Sequence, residues 1–148
     1  MTSKVFTIGF TQTTAQQFFG NISKNHVSKI IDVRLNNISQ LAGFAKRDDL
    51  KYFLKEICNA EYLHLPELAP TKDILDAYKK SKGSWEIYED KFMNLMERRN
   101  IENNLSPTVF NNACLLCSEK TAHYCHRRLV VEYLNSKWGN KLEVKHIG

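Results

Sequence analysis

The sequence predicts an α/β fold of three layers: a mostly parallel sheet of about five strands with helices on both faces. Three observations predict it. Short apolar runs alternate with amphipathic stretches of helical period along the whole chain. The central runs are continuously apolar, as strands covered on both faces are, instead of alternating. No repeat, low-complexity segment or linker breaks the order, so one domain over residues 1–148 is expected. Alternation of this kind implies right-handed crossovers between parallel strands.

Each element has its own signal. Residues 4–10 (KVFTIGF) read as a first strand that turns at Gly9. Thr13 or Thr14 can cap the next helix, in which Ala15, Phe18, Phe19 and Ile22 form one stripe. Residues 27–33 form a second strand with Asp32 and Arg34 at its polar end. An irregular loop over residues 35–46 leads to a helix near Arg47, with Leu50, Phe53, Leu54 and Ile57 at the same spacing. Residues 61–65 (EYLHL) are a short strand closed by Pro66. Thr71 caps a helix with Asp73 in its first turn. A longer helix over residues 84–99 carries Trp85, Tyr88, Phe92, Leu95 and Met96 on one face. The fourth strand lies within residues 109–117. The last helix spans residues 122–138, burying Ala122, Cys125, Leu129, Val130, Tyr133 and Leu134. Residues 142–147 (LEVKHI) form a closing strand.

Composition bounds the function. Hydrophobic residues at 43% and charged ones at 25% are those of a soluble globular protein, and no apolar stretch suits a membrane span. The start runs straight into a strand, so no export signal is read and a cytoplasmic location is expected. In that setting the four cysteines read as reduced thiols. A formal charge of +5 permits an anionic partner, nucleic acid included.

Chemistry concentrates in Cys114-Leu-Leu-Cys-Ser-Glu-Lys-Thr-Ala-His-Tyr-Cys-His-Arg-Arg128. An apolar strand there turns polar and runs into a helix N-terminus, where backbone N–H groups and the helix dipole converge. In open parallel sheets the crevice lies beyond the carboxyl ends of the strands. That rule gathers Gly9-Phe10-Thr11, Asp32 to Arg34, His64 to Glu67 and Cys117-Ser118-Glu119 on one rim.

The residue types there leave several readings open. Zinc is weakened by Cys114 and Cys117, which stand three apart on a strand and point to opposite faces. Cys117 at a strand end could be a low-pKa nucleophile, with His126 or His123 as its base. No Cys-x5-Arg phosphate loop is present, which removes the phosphatase and sulfurtransferase patterns. Cys58, Cys114 and Cys125 read as core. Arg34 and Arg127 could hold an anion in their planar forks, or pair with Asp32 and Glu119 to fix the rim. Glu119 and Glu67 are candidate acid/base carboxylates, and His126 is either catalytic or a hydrogen-bonded core histidine. Arg128 and Glu132 read as a surface i, i+4 pair. Phe10 and Phe44 are placed in rim loops, where a ring could stack on a flat ligand.

Thr7-Ile8-Gly9, Ile31-Asp32-Val33-Arg34, Gly43-Phe44, Tyr62-x-His64-Leu65-Pro66-Glu67-Leu68, Cys117-x-Glu119-Lys120 and Cys125-His126-Arg127 together resemble the domain-of-unknown-function family 488. The likeness extends over residues 7–147. It implies a compact Rossmann-like α/β domain and brings no settled reaction. Members commonly follow the first Gly with His-Ser where this chain has Phe10-Thr11, so a scheme needing an imidazole at position 10 fails here. The family's Gly-Gly is replaced by Ala69-Pro70.

The expectation is a small cytoplasmic enzyme acting on a phosphate-bearing or nucleoside-like substrate through an anion pocket at the strand ends. Glu119, His126 and Cys117 are the catalytic candidates. Gly9, Thr11, Asp32, Arg34, Phe44, Glu67 and Arg127 are the ligand-binding ones. No metal or cofactor is assigned. A non-catalytic module binding nucleic acid or protein is the rival, and the oligomeric state is left open. On this reading Arg34→Ala or Glu119→Gln abolishes binding or turnover and leaves the melting temperature nearly unchanged.

Overall fold

A parallel sheet needs long crossovers, and the chain supplies one after each of its first four strands. The computed structural model describes residues 3–35, 43–80, 84–117 and 125–147. The strands are β1 (Ser3–Gly9), β2 (Lys29–Asp32), β3 (Glu61–His64), β4 (Ala113–Cys117) and β5 (Leu142–His146). They lie in the order β3-β2-β4-β1-β5, and every neighbouring pair is parallel. Helices α1 (Ala15–Lys24), α2 (Arg47–Phe53), α3 (Lys72–Lys80), α4 (Trp85–Arg99), α5 (Ile101–Asn104) and α6 (His126–Trp138) fill the connections. No described helix is long and apolar enough to cross a membrane.

Position in the sheet explains the composition of each strand. All five residues of β4 are buried, and β1 is buried except at Lys4. The edge strands β3 and β5 are largely exposed, which suits their alternating sequences. Side chains then split by parity. Phe6, Ile8, Ile30, Cys114 and Leu116 meet Phe18, Phe19 and Ile22 of α1 and Leu50 of α2. Val5, Ile31, Val33, Leu115 and Cys117 meet the helices α3 to α6 on the other face. Each such buried aliphatic or aromatic side chain contributes about 1.5–3 kcal/mol relative to exposure.

The helix starts follow their caps. Thr14 accepts from the Gln17 amide at 3.1 Å while the Gln17 side chain accepts from the Thr14 amide at 3.0 Å. The Thr71 hydroxyl accepts from the Ile74 amide, and that of Ser84 from the Ile87 amide. Two expectations are corrected. The stripe Leu50, Phe53, Leu54, Ile57 is interrupted, because α2 widens into a π-helical turn over Leu54–Cys58. That turn keeps Leu54 fully buried and turns Ile57 outward, 56% exposed. The fourth strand does lie within residues 109–117, over Ala113–Cys117 after a 3-10 turn at Pro107–Phe110. The last helix begins at His126, not Ala122. Cys125 before it is extended at φ −137° and serves as the cap position. Helix α5 had no signal in the sequence reading, yet it buries Ile101.

Candidate functional site

Strand order decides where the crevice falls. The chain leaves β2 toward β3 on one side, with α2 on the face shared with α1. It leaves β4 toward β5 on the other side, with α6 on the opposite face. Connections that diverge from two adjacent strands open a crevice between their carboxyl ends. Here the adjacent pair is β2 and β4, whose ends are Asp32-Val33-Arg34 and Cys117.

On the α1–α2 face the centre is a buried ion pair. Asp32 Oδ1 accepts from Arg34 Nε at 2.8 Å and Asp32 Oδ2 from Arg34 Nη2 at 2.8 Å, a two-pronged contact. Asp32 Oδ1 also accepts from the Arg34 amide at 3.1 Å, and Oδ2 from the Tyr62 hydroxyl at 2.6 Å. The carboxylate is 0% and the guanidinium side chain 2% exposed. The Arg34 guanidinium carbon stands 5.4 Å from the centre of the Phe10 ring, within cation–π range. Nη1 of Arg34 is buried and has no hydrogen-bond partner among the described residues.

On the α6 face the centre is Arg127, fully buried in the first turn of its helix. Its Nε donates to the Thr7 hydroxyl at 3.2 Å, and its Nη1 lies 3.4 Å from the Cys117 sulfur. The Thr7 hydroxyl, 2.6 Å from His146 Nδ1, continues the chain to the sheet edge. His146 is shifted below the ordinary histidine range by desolvation and by Arg127 and Arg128. His126 joins the two faces: its Nε2 donates to the Val33 carbonyl at 2.6 Å. Burial, opposed by that hydrogen bond, lowers the His126 pKa to about 4, with Arg127 lowering and Asp32 raising it. The imidazole is therefore neutral near pH 7, with Nδ1 as its acceptor nitrogen.

The remaining sequence candidates are placed as follows. Gly9 ends β1 beside Cys117 in register, and Thr11 is exposed in the turn after it. Glu67 is exposed in a 3-10 turn, where its carbonyl accepts from Arg99 Nη1 at 2.7 Å. Phe44 packs its ring against Phe18 and Phe19, at 5.4 and 5.8 Å. It lines an apolar cavity of about 400 Å³ with Phe19 and Phe53. Glu119, His123 and Ala122 lie outside the described residues, as does any pairing of Glu119 with Arg127. Cys58 and Cys114 are free, and burial pushes the Cys114 thiol up. The expectation of four reduced thiols is corrected at two positions: Cys117 and Cys125 are joined by a disulfide. Cys117 ends β4 and Cys125 immediately precedes α6. No group of three or more metal-ligating side chains occurs among the described residues.

The sequence reading assigns Thr7 and Tyr62 no site role of their own, Tyr62 being expected in the core. Each had a signal. Thr7 is the one polar side chain inside the apolar run of β1, and a buried hydroxyl requires a partner. Tyr62 and His64 alternate on β3 in register with Ile30 and Asp32, so the phenol is carried toward the carboxylate.

A profile of the family described as "Domain of unknown function DUF488" matches residues 14–134. The chain belongs to the DUF488 family. No curated protein and no solved structure gives a significant match. For a DUF488 chain, then, chemistry has to be argued from the rim itself. The matched span holds the Asp32–Arg34 pair, the bonded cysteines and the start of α6, and it excludes Thr7 and His146.

Proposed function

We propose that this DUF488 chain binds a phosphate-bearing or nucleoside-like small molecule at the crevice over the ends of β2 and β4, as a small enzyme acting on that molecule. The observation that carries the reading is Arg34. Its Nε and Nη2 are fixed by Asp32, while Nη1 is buried without a partner among the described residues. A guanidinium held by one edge is preorganised to offer its other N–H groups to an oxyanion, at little entropic cost. A buried donor left unmatched costs about 1–3 kcal/mol, which an anion would recover on binding. Arg127 adds positive potential from the α6 side, and the N-terminus of a 13-residue helix adds to it.

Roles within the site follow from protonation. Neutral His126 serves as a hydrogen-bond acceptor through Nδ1, since its one N–H is committed to Val33. Acid/base work falls to Glu119 in this reading. Calorimetric titration with inorganic phosphate and with a nucleoside monophosphate tests it. One-to-one binding that weakens only modestly with salt is expected. No binding would end the proposal, and a steep salt dependence with oligonucleotides alone would favour the nucleic-acid module.

A further inference from the structure

The disulfide between Cys117 and Cys125 belongs to no part of the anion reading, and its surroundings are unlike those of a staple between surface loops. The two cysteines are 1% and 3% exposed, one at the end of β4 and the other just before α6. Arg127 Nη1 lies 3.4 Å from the Cys117 sulfur. Cys125 is the cap position of α6, where the helix dipole also favours negative charge on sulfur. A cation beside one sulfur and a helix N-terminus beside the other both stabilise thiolates, the form that takes part in exchange. Cys114, three residues away on the opposite face of β4, has its thiol pushed up by burial and stays free.

From this contrast we infer that Cys117 and Cys125 form a reversible thiol–disulfide couple that exchanges two electrons with low-molecular-weight thiols and disulfides. The step balances without any other reagent. The Cys117 thiolate attacks one sulfur of a small disulfide, whose S–S bond breaks and releases one thiolate. Cys125 passes its proton to that thiolate and attacks the Cys117 sulfur, which releases the second thiolate. The cysteines are oxidised by two electrons and the small disulfide is reduced to one thiol and one thiolate, which takes its proton from water. Arg127 acts as a positioning residue that holds Cys117 as thiolate. The couple stands independently of the anion site, since it needs no ligand there.

The test equilibrates the full chain in buffers of reduced and oxidised glutathione, then traps free thiols with an alkylating reagent and maps them by mass spectrometry. Labels on Cys117 and Cys125 are expected to appear together as the ratio [GSH]²/[GSSG] rises, a tenfold change in that ratio giving a tenfold change in reduced to oxidised chain. In Cys125→Ser, oxidised glutathione is expected to leave a mixed disulfide on Cys117, and in Cys117→Ser much less on Cys125. The inference is overturned if the pair stays wholly reduced in oxidised glutathione or wholly bonded at the highest reduced glutathione. Pairing of Cys58 or Cys114 instead would overturn it too. Equal trapping on the two single variants would remove the role given to Arg127.

Discussion

The Nε2 of His126 stands 2.6 Å from the carbonyl oxygen of Val33, across a separation of 93 residues in sequence. Val33 itself donates its amide to the Leu116 carbonyl at 3.0 Å, so it is held by β4 on one side and by α6 on the other. A carbonyl can only accept, which fixes the proton of the neutral ring on Nε2. The start of α6 is thereby tied to the end of β2, between Asp32 and Arg34. This contact links the two faces of the rim.

That proton has a pH consequence. Folding lowers the His126 pKa from 6.5 to about 4, so the unfolded chain takes up a proton first as pH falls. Stability is fully present above about pH 6.5 and is lost progressively down to about pH 4, by at most about 3 kcal/mol from this group. Urea unfolding of wild type and His126→Gln across that range isolates it, since Gln keeps a donor for Val33 and does not titrate. The wild-type curve is expected to fall more steeply; parallel curves would contradict the assignment.

The Asp32–Arg34 pair predicts strong coupling. Removing one member strands a buried charge, so Arg34→Met and Asp32→Asn should each cost about 3–5 kcal/mol. The double variant should cost much less than their sum, because the remaining charge goes with its partner. Burial of the pair predicts that Arg34→Ala lowers the melting temperature, so Arg34→Lys becomes the informative binding variant.

Tyr62→Phe removes a hydroxyl that donates to the same carboxylate at 2.6 Å. A loss of about 1.5–3 kcal/mol is expected, as for hydrogen bonds to charged groups. Denaturant unfolding checks it, and a change below about 0.5 kcal/mol, the size of an ordinary surface substitution, would show the phenol to be dispensable.

The π-helical turn after α2 gives a paired test. Leu54→Ala should cost about 2–5 kcal/mol. Ile57→Ser, at a side chain 56% exposed, should stay within about 0.5 kcal/mol. Equal costs would mean that Ile57 packs as an uninterrupted helix would place it.

The same residues show what the sequence could and could not say. Strand–helix alternation specified the parallel sheet, because period and continuity of apolar residues follow from burial on two faces. Phe18, Phe19 and Ile22 were legible from spacing for that reason. Ile57 was not, since the same spacing fits an α-helix and a helix with one wide turn. The rim was legible as a place, because strand ends and polar residues coincide there. Its partition was not. Asp32 and Arg34 serve one face and Arg127 the other, and only register reveals that. The pairing of Cys117 with Cys125 was hidden by extending α6 back to Ala122, which placed Cys125 on a buried helix face instead of at the cap.

The most direct test of the central claim follows the side-chain nitrogen resonances of Arg34 by NMR while inorganic phosphate is added to wild type and to Arg34→Lys. Lysine keeps the charge beside Asp32 but lacks the fork. Saturable shifts at the Arg34 guanidinium are expected, with affinity at least about tenfold weaker in the lysine variant, roughly 1.4 kcal/mol. Unmoved Arg34 resonances, or equal affinity in the two proteins, would contradict an anion site built on this guanidinium.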